Sequence, residues 1–139
     1  MAGLVFDDVT VGDALAGIEV EPISRLDLAL YCGASGDHNP IHVDIDYARA
    51  AGKPDVFAHG MLVMAHLGRA VTAWAPRSAL RQFDVRFVRV TEVGDRLRCA
   101  GTVAAKLEVD GERRIRVDLT VRDQEDRIKA TGVAVLALA

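Results

Sequence analysis

Asp37 and His42 stand five residues apart in the stretch Ala34-Ser35-Gly36-Asp37-His38-Asn39-Pro40-Ile41-His42-Val43-Asp44. A carboxylate beside an imidazole suits proton transfer coupled to addition of water, because one group can take a proton from water while the other gives one to carbon. Pro40 fixes its own φ near about −65° and biases Asn39 toward extended geometry, so the loop can hold the two groups in a set relation. The same residues are also good turn chemistry, with Asp37 and Asn39 able to bond their own backbone, and local physics alone does not separate the two readings. His38, His42, Asp44 and Asp46 are hard or borderline metal ligands close in sequence. Pro40 breaks the helix that would put His38 and His42 on one face, so no metal or other cofactor is expected.

A second candidate is Ala58-His59-Gly60-Met61, ahead of a long apolar segment. First-turn N–H groups of a helix have no intrahelical partner and sit at the positive end of the dipole, which suits them to a developing negative charge on oxygen. Gly60 would let that oxygen approach closely; taken alone, a plain helix start with Gly chosen for its turn is the better reading of the pattern. His59 and His66 are about 10.5 Å apart along a helix, too far to share a metal ion. His66 reads as a core or rim residue and His59 as structural rather than catalytic. Cys32 and Cys99, the only cysteines, read as two buried thiols.

These residues need elements to position them. Ser24 with Asp27 three positions on marks a helix N-terminus, and the helix should end at Gly33 or shortly after. Ala34 to Asp44 follows as a shaped loop, then a short helix over 46–51. Met61 to Ala75, closed by Pro76, is apolar on nearly every side and predicts a core helix buried almost all round. From Arg81 the period becomes two: Phe83, Val85 and Phe87 alternate with polar residues, as do Ile115, Val117, Leu119 and Val121. Asp110-Gly111 is a type I′ hairpin signal, and Asp123 to Asp126 a second turn. An α+β domain follows, with four consecutive antiparallel strands wrapped on one helix.

With 139 residues, half of them hydrophobic, the chain has the size of a single domain spanning 1–139. Charged residues make up 27% and the net charge is −3, which suggests neither a nucleic-acid surface nor a disordered chain. Met1 to Val11 carries Asp7 and Asp8 without a basic residue, and no apolar run approaches the roughly 20 residues of a membrane span, so a cytoplasmic location is expected. A single sheet covering one helix leaves a flank to bury, for which a dimer is the usual answer.

Tyr31 to Asp44 resembles the hydratase-2 motif of MaoC-like dehydratases and (R)-specific enoyl-CoA hydratases. Ala58-His59-Gly60-Met61-Leu62 resembles the second stretch of that family, and the likeness continues into Phe83 to Phe87 and Val93-Gly94-Asp95. The resemblance implies a hot-dog fold and reversible syn addition of water to a trans-2-enoyl thioester of coenzyme A or acyl carrier protein, giving the (R)-3-hydroxyacyl product. It implies that Asp37 and His42 activate the water, Asn39 orients it and Gly60 supplies the backbone N–H of an oxyanion hole. The assembly it implies is a homodimer, or a heterodimer with a related chain as in mycolic-acid dehydratases, which the sequence also resembles. Some relatives carry a serine where this chain has Ala65, and Val88-Arg89-Val90 lacks the proline common in the matching strand. Other hot-dog enzymes, the thioesterases and β-hydroxyacyl-carrier-protein dehydratases, commonly place a carboxylate on the central helix; Met61 to Ala75 has none. A non-catalytic acyl-binding subunit would not need both Asp37 and His42.

Overall fold

The structure, a computed structural model, describes residues 3–139. Its elements are β1 (Ala14–Glu19), α1 (Arg25–Ser35), α2 (Ile45–Ala50), α3 (Gly60–Trp74), β2 (Leu80–Phe87), β3 (Arg98–Val109), β4 (Glu112–Arg122) and β5 (Ile128–Ala137). The strands form one antiparallel sheet in the order β1-β3-β4-β5-β2. Leu67, Ala70 and Val71 of α3 are buried in one core with Val103 of β3, Val117 and Leu119 of β4 and Ala134 of β5. This is the expected hot-dog arrangement of a sheet wrapped on a helix.

Local signals account for most boundaries. Ser24 and Asp27 close a reciprocal capping box: Ser24 Oγ accepts from Asp27 N at 3.1 Å, and Asp27 Oδ2 accepts from Ser24 N at 2.8 Å. α1 runs through Gly33 to Ser35 and stops at Gly36, whose φ of 76° is left-handed, so the loop begins later than its composition suggests. Asp44 caps α2 by accepting from the amides of Asp46 and Tyr47. Asp110 and Gly111 have φ of 52° and 75°, as a type I′ hairpin requires.

Three features differ from the sequence reading. A fifth strand, β1, lies along β3, where its short half-exposed pattern gives little periodicity. Gly17 is the trace of it: a Cβ there would lie 2.6 Å from the Cys99 carbonyl oxygen, so only glycine allows the two backbones this approach. β2 lies beside β5 and not β3, because the stretch 88–97 carries the chain across to the other side of the sheet. Finally, α3 is not buried all round. Met61, Ala65, Arg69 and Thr72 form an exposed stripe, since the sheet covers only one side of the helix.

Candidate active site

The left-handed turn at Gly36 leads the chain out of α1 into a run of side-chain-to-backbone hydrogen bonds. Ser35 Oγ accepts from Asp37 N at 3.1 Å, Asp37 Oδ1 from Asn39 N at 3.2 Å, and Asn39 Oδ1 from Ile41 N at 3.1 Å. Pro40–His42 then makes one 3-10 turn. The turn chemistry is therefore real, and it fixes where Asp37 and His42 stand. Asn39 has its carbonyl oxygen committed, which leaves Nδ2 as the group it can offer to another partner.

His42 is 8% exposed, and its Nδ1 lies 2.7 Å from the Phe57 carbonyl oxygen. A carbonyl only accepts, so Nδ1 carries the proton and, in the neutral ring, Nε2 keeps its lone pair. The ring also meets Phe57 edge-on at 5.3 Å and stacks on His59 with centroids 3.8 Å apart and planes 25° apart. His59 is 1% exposed, with Nε2 3.4 Å from the Asp37 carbonyl oxygen and 3.4 Å from Cys32 Sγ. Burial, reinforced by neighbouring His42, holds the His59 pKa below the usual imidazole value.

Asp37, His42 and His59 each bring one ligand-capable atom within 4.8 Å of the others, among the described residues. A zinc ion sits roughly 2.0–2.1 Å from each nitrogen and near each ring plane. Two nearly parallel rings 3.8 Å apart cannot meet that demand as they stand. Of the metal candidates weighed from sequence, Asp44 is occupied in capping α2.

Gly60 opens α3 directly after His59, which makes no side-chain cap bond; Leu62 N bonds the His59 carbonyl, and the amides of Gly60 and Met61 meet no acceptor among the described residues. The Phe87 ring packs over it, and a Cβ at Gly60 would meet that ring at 3.2 Å. A pocket of about 330 Å³ opens here, lined by Phe57, Gly60, Val63, Phe87, Val88 and Arg89 among others. His38 is exposed, and His66 is a rim residue whose Nδ1 lies 3.1 Å from Arg69 Nη1. Cys32 and Cys99 are both buried, and burial pushes the Cys99 pKa up to about 11.

Sequence reasoning missed two parts of this site. One is the place of His59 against His42, a contact between distant positions with no periodic signal. The other is Lys129, 2% exposed, whose Nζ reaches Asp95 Oδ2 at 2.8 Å, Asp123 Oδ2 at 3.3 Å and the Val90 carbonyl at 3.0 Å. Val88 N and Arg89 N both bond the Lys129 carbonyl, so this buried cluster fixes the pocket wall.

The sequence matches the family described as MaoC like domain over residues 9–125. It is 42% identical over 76 residues to the fatty acid synthase subunit beta of Aspergillus oryzae, covering 52% of this chain but only 4% of the fungal subunit. It is 28% identical over 134 residues to the (R)-specific enoyl-CoA hydratase of Rhodospirillum rubrum, covering 81% of this chain and 90% of that protein. Among solved structures, the unliganded R-hydratase PhaJ1 of Pseudomonas aeruginosa is similar with a TM-score of 0.86 and 29% identity, over 98% of this chain and 86% of that one.

Proposed function

The chain belongs to the MaoC-like domain family, and from that premise we propose that it adds water reversibly to trans-2-enoyl thioesters to give (R)-3-hydroxyacyl thioesters. One observation carries the reading: His42 has Nδ1 committed and Nε2 without a partner among the described residues, beside Asp37, with Gly60 N and Met61 N at the start of α3 following the same segment. As the water oxygen bonds to C3, its proton passes to the Asp37/His42 pair. The π electrons of the alkene move toward C2 and those of the thioester carbonyl onto oxygen. Gly60 N–H stabilises the negative charge that develops there, a role fixed donors perform best in a dry site. The pair then returns a proton to C2 on the same face and the carbonyl re-forms; dehydration is the reverse. Asn39 Nδ2 orients the water, and the proton belongs to the coupled pair as a unit.

The active unit we propose is a homodimer. β2 ends the sheet with an edge that no strand among the described residues pairs, and Phe87 at its end and Met61 in the first turn of α3 are 48% and 54% exposed. Heterodimerisation with a related chain is the alternative.

The deciding experiment offers trans-2-enoyl thioesters of increasing chain length, on coenzyme A and on acyl carrier protein. It follows loss of the conjugated enoyl absorbance and resolves the product on a chiral phase. Formation of the (R)-3-hydroxyacyl thioester is expected. Release of free thiol without hydration would mean a thioesterase, and inactivity with every thioester would overturn the reading for the chain alone.

A further inference from the structure

We propose that His59 is a positioning residue: its ring, stacked on His42 and tied to the Asp37 carbonyl, holds the base with Nε2 free and couples it to the first turn of α3. The inference rests on the Asp37/His42 hydration reading.

His59 is enclosed on several sides. Its ring stacks on His42 at 3.8 Å and meets Tyr31 of α1 edge-on at 4.8 Å. The Asp37 carbonyl only accepts, so His59 Nε2, 3.4 Å away, carries the proton there. One ring thus contacts both members of the reacting pair. Nδ1 is then a bare acceptor, buried and without a partner among the described residues. A residue present only to fill space would not carry that cost, since a leucine or phenylalanine fills the volume without it.

The backbone adds to the argument. The Phe57 carbonyl holds His42 Nδ1, Ala58 N bonds the Thr91 carbonyl at 2.8 Å, and the His59 carbonyl accepts from Leu62 N at 3.1 Å as N-cap of α3. Four consecutive residues, Phe57 to Gly60, therefore supply the carbonyl for His42, its stacking ring and the amide facing the thioester. The titratable groups around His59 are Tyr31 and Cys32 from α1 and Asp37 and His42 from the loop. Burial lowers the His59 pKa, which favours the neutral ring. A neutral face accommodates His42 when it takes a proton, whereas a second charge would repel it.

The test compares His59→Ala, which removes the ring, with His59→Phe, which keeps an aromatic face and removes both nitrogens. His59→Ala is expected to lower kcat by about 10- to 100-fold with KM within about threefold, as loss of orientation does, and His59→Phe to recover the part that the stacked face supplies but not the part that the bond to the Asp37 carbonyl supplies. Nitrogen NMR of the His42 ring gives a readout independent of turnover: the Nδ1–H form in the wild type and the Phe variant, a mixture of tautomers in the Ala variant. If His59→Ala does not fold, His59→Leu replaces it with the same expectations. Wild-type kcat with an unchanged His42 tautomer in the ring-deleted protein overturns the proposal, as does a Phe variant no better than Ala. A wild-type protein inactive on every thioester defeats the reaction reading instead, and the tautomer measurement still decides the role of His59.

Discussion

With His42 Nδ1 bonded to the Phe57 carbonyl, only Nε2 can exchange a proton with water, and the loop that carries it lies outside the strand core. His42→Ala and Asp37→Asn are each expected to slow hydration by about 10²- to 10⁴-fold. The fluorescence-monitored melting of Trp74, the single tryptophan, should change little, because neither residue anchors the sheet. Near-normal turnover in either folded variant counts against the pair. The turn through Asp37 and Asn39 could be read from the sequence because their side-chain bonds run to residues two positions on. Turn formation and chemistry were posed there as rivals, but the turn bonds are compatible with both, since they are what set Asp37 in place beside His42. His59 escaped because its stack on His42 joins two loops that only the tertiary fold brings together.

The stretch 88–97 that links β2 to β3 gains its shape from charges hidden beneath it. The side chains of Lys129, Asp95 and Asp123 are 2%, 5% and 0% exposed, so removing the lysine leaves the Asp95 carboxylate buried without its cation and Asp123 with Arg127 alone. Lys129→Ala is expected to lower unfolding free energy by about 3–5 kcal/mol in denaturant titration; a loss below about 1 kcal/mol would show that water reaches the cluster freely. Burial alone would raise the Asp123 pKa, but N–H donors from Arg127 and Glu125 and the Arg127 and Lys129 side chains outweigh it and hold the carboxyl well below the usual range. Its folded value thus lies below its unfolded one. The stability it adds is full above roughly pH 4 and is lost as pH falls toward the folded value. Asp123→Asn should flatten the stability–pH curve between about pH 4 and 2; an unchanged slope there would remove Asp123 from the acid response. None of this was legible in Asp95 or Lys129 as single letters, since a lone charge usually faces water. β1 and the exposed stripe of α3 were hidden for another reason: periodicity reports which residues are apolar, not how far the sheet reaches.

Taken as one body, the molecule leaves the β2 edge and the Met61 to Thr72 side of α3 uncovered. Two 15.0 kDa chains joined there should sediment at twice that mass at micromolar concentration, and Ala65→Arg on the uncovered stripe should give monomers with reduced hydration. A fully active monomer would show that one chain suffices. The α+β class and the helix-and-sheet plan followed from the change of period near Arg81, whereas strand order did not, because nothing in a strand's composition says which neighbour it will take. The two buried thiols make this body a pair of clocks. Cys99, fully buried in β3 between β1 and β4, should meet an alkylating reagent only when the sheet comes apart. Cys32, beside His59 at the end of α1, should be reached by smaller openings of the loop. Mass spectrometry under native conditions is expected to show Cys32 modified well before Cys99, and equal rates would mean that the site opens only when the whole fold does.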